Sequence, residues 1–136
     1  MLAVDTNVVV RLLVADDEDQ HARARRLFTT RAVWIPTTVV LETEWVLRSA
    51  YGFAPDAIAT ALSRLVRLAD VTVENVDAVT FAIDALDKGI DFADALHLAS
   101  STAAATEGLA TFDTRFVRRA QRHYPHLTIT TPDRGE

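Results

Sequence analysis

Short runs of β-branched and aliphatic residues alternate along this chain with longer stretches whose apolar positions recur every three to four residues. Leu2 to Val4 ends in Asp5-Thr6-Asn7, residue types that favour helix N-caps, so it reads as a first strand feeding a helix over Val8 to Val14. An acidic run at 16–19 follows, and His21 to Phe28 has helical spacing through Ala24, Leu27 and Phe28. Val33 to Ile35 reads as the second strand. Pro36-Thr37-Thr38 opens a helix carrying Val39, Val40, Leu41, Trp45, Val46 and Leu47 that stops near Tyr51-Gly52.

Pro55 suits the first turn of the next helix, with Ile58, Leu62, Leu65, Val66 and Leu68, and Asp70 closes it. Val71 to Val73 is a third strand, and Val76 to Lys88 an amphipathic helix ended by Gly89. Asp91 to Thr106 is rich in alanine and predicts a long, central, largely buried helix. Gly108 ends it, Leu109 to Phe112 is a fourth strand, and Asp113 opens a short basic helix. Leu127 to Thr130 is the last strand, and 132–136 a frayed tail. This alternation predicts an α/β chain: a three-layer α/β/α sandwich around a central, mainly parallel sheet, folded as one domain over 1–131.

Composition narrows the chemistry. At 136 residues and 49% apolar, the chain has the make-up of a globular protein with one substantial core. Arg11 interrupts the longest early apolar run, no stretch is long enough for a membrane span, and MLAVDTN lacks secretory features, so a cytoplasmic protein is expected. Without cysteine there are no disulfides, thiolate metal sites or cysteine nucleophiles. The histidines at 21, 97, 123 and 126 have no zinc spacing, and the glycines form neither nucleotide-cradle motif.

The net charge of −5 argues against a broadly basic nucleic-acid surface, although a cation bound at an acidic cluster reverses the local charge. Lys88 is the only lysine. Arginines gather instead in two groups, Arg23, Arg25, Arg26 and Arg31, and Arg115, Arg118, Arg119 and Arg122. Guanidinium forks suit phosphate, but either group taken alone also reads as a solvated helix face or as ion pairs with the acids at 16–19.

Four acids stand at strand ends or in the helices that follow: Asp5, Glu42, Asp94 and Asp113. In a parallel α/β sheet such positions share one edge. Capping alone would account for Asp5 and Asp113, and for Asp91 with Asp94 three residues on. Glu42 and Asp94 go further, because periodicity turns both toward the core, where an unpartnered carboxylate costs several kcal/mol or is forced neutral. A cation removes that penalty. Oxygen ligands alone, with Thr6, Asn7 and Thr111 nearby, suit Mg²⁺ or Mn²⁺ rather than zinc. One such ion, or two about 4 Å apart, supports phosphodiester hydrolysis with water as nucleophile. His97 reads as a packed histidine rather than a base, and Trp34 and Trp45 as core rather than base-stacking platforms.

With these motifs in place the chain resembles the PIN-domain family, specifically the small bacterial VapC-type toxins of toxin–antitoxin pairs. Asp5-Thr6-Asn7, Glu42 within VVLETEWVL, Asp91-Phe92-Ala93-Asp94-Ala95 and Thr111-Phe112-Asp113 carry the resemblance, which spans residues 2 to about 130. It implies a Mg²⁺- or Mn²⁺-dependent endoribonuclease with Asp5, Glu42, Asp94 and Asp113 as the acidic quartet. Thr6 and Asn7 then lie at the mouth of the site, Thr111 orients a ligand or water, and Asp91 is either a fifth acid or the helix cap. It also implies an RNA substrate, a homodimer and a VapB-like antitoxin that presents an arginine to the acids.

Four rivals share parts of this pattern. A dehalogenase-like phosphatase needs a second aspartate where Asn7 stands, and a receiver domain needs a lysine after its last strands. A structure-specific DNA nuclease of the wider PIN-like group, or an inactive PIN-like interaction module whose acids serve only as caps, is the alternative.

Overall fold

The computed structural model describes residues 1–133 and 135. In order, the elements are β1 (Leu2–Ala3), α1 (Thr6–Leu13), α2 (Glu18–Thr30), β2 (Val33–Ile35), α3 (Thr37–Ser49), α4 (Pro55–Val66), β3 (Val71–Val73), α5 (Val76–Asp87), α6 (Phe92–Ala103), β4 (Leu109–Ala110), α7 (Thr114–His123) and β5 (Ile129–Thr130). The chain divides into two compact units, one over Met1–Thr80 and one beginning at Phe81. The tail expected at 132–136 lies partly outside the described residues.

In the first unit β1, β2 and β3 form a parallel sheet in that order, with Leu2 opposite Val33 and Val33 opposite Val71. Parallel neighbours need a crossover between them, and helix pairs α1–α2 and α3–α4 supply it. Val33, Ile35, Val40, Leu47, Ile58, Leu62 and Leu65 are almost fully buried. The expected α/β class with parallel strands is thus what forms.

In the second unit β4 and β5 pair in parallel, Leu109 opposite Ile129. Gly108 is required at the entry to this pair. A Cβ there would lie 2.7 Å from the Thr128 carbonyl oxygen and 2.8 Å from its Cγ2, closer than such atoms approach. Helix α6 buries Phe92, Ala95, Leu96 and Leu98, and α7 buries Phe116 and Ala120.

Helix α6 departs from the expectation of a long buried helix. It stops at Ala103, and 103–106 are exposed, because the last turn is Ser-Ser-Thr and Ala105 adopts a left-handed φ of 56°. Serine and threonine bond locally to backbone and weaken a helix end, and that cost outweighs alanine's propensity. Among the described residues, no helix is long and apolar enough to cross a membrane.

Candidate active site

The first unit places Asp5 two residues after the end of β1, where it caps α1: the Val8 N–H donates to Asp5 Oδ1 at 3.1 Å. The next residue, Thr6, is buried, and its hydroxyl donates to the Glu42 carboxylate on α3. Asp5, Thr6 and Glu42 therefore form one polar set. Asn7 is exposed beside them and, with Asp5, Arg11, Gln20 and Arg23, lines a groove of about 420 Å³.

Glu42 is exposed, contrary to the expectation that periodicity turns it to the core. The buried stripe of α3 is Val40, Thr43, Glu44 and Leu47, at i, i+3, i+4 and i+7, with two polar members. Glu44 is 1% exposed and is held there by Arg48, whose Nε donates to its Oε2 at 2.9 Å. The pair compensates the charge that this stripe buries. Trp45 is 56% exposed and Trp34 half-buried, so the core reading fails for Trp45. The Glu44–Arg48 pair was within reach of sequence reasoning, since Glu followed by Arg at i+4 is a helix-pairing signal.

In the second unit, Asp91 caps α6, accepting from the Asp94 N–H at 3.0 Å, and this satisfies its capping role. Asp94 sits in the first turn, half-buried, and its carboxylate accepts no hydrogen bond from any described residue. Burial first, then the charges of Asp91 and Asp113, push its carboxyl above the ordinary carboxylate range, while His97 pulls the other way. His97 itself is exposed, which corrects its reading as a packed histidine. It lies one turn after Asp94, on the solvent side of α6.

Asp113 follows β4 and caps α7, accepting from the Phe116 N–H at 3.0 Å, while its own N–H donates to Thr111 Oγ1 at 3.0 Å. Thr111 thus fixes the turn that presents Asp113. In each unit an acid stands just beyond the carboxyl end of a parallel strand, where open α/β sheets hold their ligands. Among the described residues no three His, Asp or Glu side chains converge into a ready-made metal cluster. The donor set nevertheless fits a hard divalent cation: Asp94 is pressed by two like charges and lacks any donor of its own.

The PIN domain family matches this chain over residues 2–121. No curated protein matches it. Among solved structures it is similar to Mycobacterium tuberculosis VapC20, described as a sarcin-ricin loop cleaving toxin, at 26% identity over 87% of this chain and 94% of that one, with a TM-score of 0.44. The family match covers all four strand-end and helix acids, and the chain belongs to the PIN domain family.

Proposed function

We propose that this PIN domain is an endoribonuclease, the toxin of a toxin–antitoxin pair, that hydrolyses RNA with Mg²⁺ or Mn²⁺ as cofactor and water as nucleophile. The observation that carries the reading is Asp94: a half-buried carboxylate without a hydrogen-bond donor, facing Asp91 and Asp113, on a family-matched helix. A cation beside such a group favours its anionic form. We assign Asp5, Glu42, Asp94 and Asp113 as the ligand-bearing acids, with Asp94 foremost.

When bound, the cation polarises the phosphate and lowers the pKa of the attacking water. The chain's own residues do the positioning. The Thr6 hydroxyl orients Glu42, Thr111 orients the Asp113 turn, and the caps at Asp5, Asp91 and Asp113 lock the backbone that presents each acid. Asp91, the cap of α6, adds negative charge beside Asp94. The same acids suit an arginine offered by a VapB-like antitoxin. The resemblance of the sequence to VapC-type toxins supports that partner, a homodimer and a cytoplasmic setting.

The test is cleavage of labelled total RNA and of single-stranded DNA by wild type and Asp94→Asn, with Mg²⁺, Mn²⁺ or EDTA. Discrete RNA fragments that require the cation and vanish in the variant are expected. Cleavage of DNA alone would move the protein to the wider nuclease group. No cleavage, together with a melting temperature unmoved by Mn²⁺, would make it an interaction module.

A further inference from the structure

Helix α7 carries Arg115, Arg118, Arg119 and Arg122, and these four alone line a concavity of about 370 Å³. Their spacing of i, i+3, i+4 and i+7 puts them on one face, opposite the buried Phe116 and Ala120. The fold therefore fixes where they point. No Asp or Glu occurs within α7, and among the described residues Arg115, Arg118 and Arg122 have no ion pair or hydrogen bond. Arg119 donates to the Gly89 carbonyl, which anchors one fork of the set.

Two arginines of the first unit, by contrast, have carboxylate partners. Arg11 pairs with Asp16 at 2.9 Å and Arg23 with Asp19 at 3.5 Å. Near α7 the carboxylate that faces His123, Asp84, is already engaged by Lys88 and Tyr124. In a chain of net charge −5, four clustered guanidiniums without a counter-ion of their own call for an external polyanion. A row of arginines spread along about 10 Å of helix exceeds what one phosphate can engage, so the fit is to a backbone.

We infer that the arginine face of α7, with Phe112, is the binding surface for a single-stranded stretch of RNA leaving the active site. The inference rests on the nuclease reading above. Asp113 caps the helix, so the arginine face begins two residues beyond that acid, at Arg115. Phe112, beside Asp113, is 80% exposed and offers a flat apolar ring for a base. A cationic track joined to an aromatic platform is how proteins hold single strands without reading their sequence.

The test is equilibrium binding in EDTA, where no cation-dependent cleavage intervenes, of wild-type protein to a mixed-sequence RNA of about twelve nucleotides. Salt is varied between about 50 and 200 mM. Arg118→Gln/Arg122→Gln should bind roughly tenfold more weakly near 0.15 M salt and lower the slope of log K against log salt by about 1.4, the value for two phosphate contacts. Lysines at the same two positions should keep the slope. Phe112→Ala should weaken binding about fivefold or more with the slope unchanged. The control Arg64→Gln/Arg67→Gln, exposed arginines on and just after α4, should alter neither quantity.

An unchanged affinity and slope in Arg118→Gln/Arg122→Gln overturns the inference. So does a glutamate-rich peptide that binds wild type as tightly as the RNA and loses binding in the same variant, which makes α7 a protein-docking face. Cleavage with Mn²⁺ beside an unchanged slope would remove this surface and leave the nuclease standing. A lowered slope without any cleavage would keep the surface and remove the nuclease.

Discussion

The acids of the first unit are supplied with donors, whereas the central acid of the second is not. Glu42 accepts from the buried Thr6 hydroxyl, and Asp5 accepts from the Val8 amide. Asp94 accepts nothing from the described residues and instead meets the charges of Asp91 and Asp113. The first arrangement is stable as it stands, since each carboxylate is paired with an N–H or O–H. The second is a local liability, and a protein retains such a liability where a ligand relieves it. Under the proposed function, Asp94 is the position where stability and function pull apart.

The largest effect should therefore come from Asp94→Asn. Cleavage is expected to fall by at least about a hundredfold, the upper end of the loss seen for residues that merely support a metal ligand. The metal-free variant should melt at a higher temperature than wild type, because a neutral amide feels no repulsion from its neighbours. Mn²⁺ should raise the melting temperature of wild type, by mass action on the folded state, and leave the variant unmoved. Cleavage assays and paired thermal melts check all three. A variant that melts lower than wild type without metal would remove the contrast between the units.

The Thr6–Glu42 contact is the first unit's counterpart. Thr6→Val keeps the shape of the side chain and removes the donor, so Glu42 is free to swing into water. Cleavage should fall about tenfold while the fold persists, since Glu42 is already exposed and readily hydrated. A loss as large as that of Asp94→Asn would mean that Thr6 touches substrate, and single-turnover kinetics with saturating RNA would separate the two roles.

These residues also mark how far sequence reading reaches. β2 and β3 form over the runs expected, Val33–Ile35 and Val71–Val73, because a few β-branched residues between helix-breaking neighbours have one plausible state. The caps at Asp5, Asp91 and Asp113 were equally plain, since N-cap chemistry is local. The face of α3 was not. Of the apolar residues expected to pack, Val39, Val40, Leu41, Trp45, Val46 and Leu47, only Val40 and Leu47 lie on the buried stripe, which also takes in Thr43 and Glu44, the glutamate compensated by Arg48. Side-chain pairing across a turn overrides hydrophobic pattern, and it is invisible to a reading that counts only apolar positions. His97 was misplaced for a related reason: DALHLAS alternates too evenly to tell one face of α6 from the other.

Thr43 provides a smaller test on that stripe. It is fully buried, and its Oγ1 has no partner among the described residues. An unpaired buried hydroxyl carries a desolvation penalty that an isosteric methyl does not. Thr43→Val should stabilise the protein by about 1 kcal/mol in denaturant titrations, with cleavage unchanged. A destabilised variant would show that the hydroxyl has a partner after all, and that the polar stripe of α3 is satisfied throughout.

Asp84 is the counterpart of Asp94 within the second unit. Asp84 accepts from Lys88 Nζ at 2.9 Å and from the Tyr124 hydroxyl, and these hydrogen bonds hold its carboxyl below the ordinary value. A carboxylate depressed in this way contributes stability that is fully present above its unfolded pKa of about 3.9 and is lost as pH falls through the folded one. Because its side chain is 54% exposed, solvent screening reduces the contribution, and Asp84→Asn should cost only about 1 kcal/mol at neutral pH. The gap in melting temperature between wild type and variant should hold steady across neutral pH and close below about pH 4. Asp84→Asn should thus lower the melting temperature where Asp94→Asn raises it. The same substitution has opposite signs because Lys88 and Tyr124 serve one carboxylate, whereas only like charges and His97 surround the other.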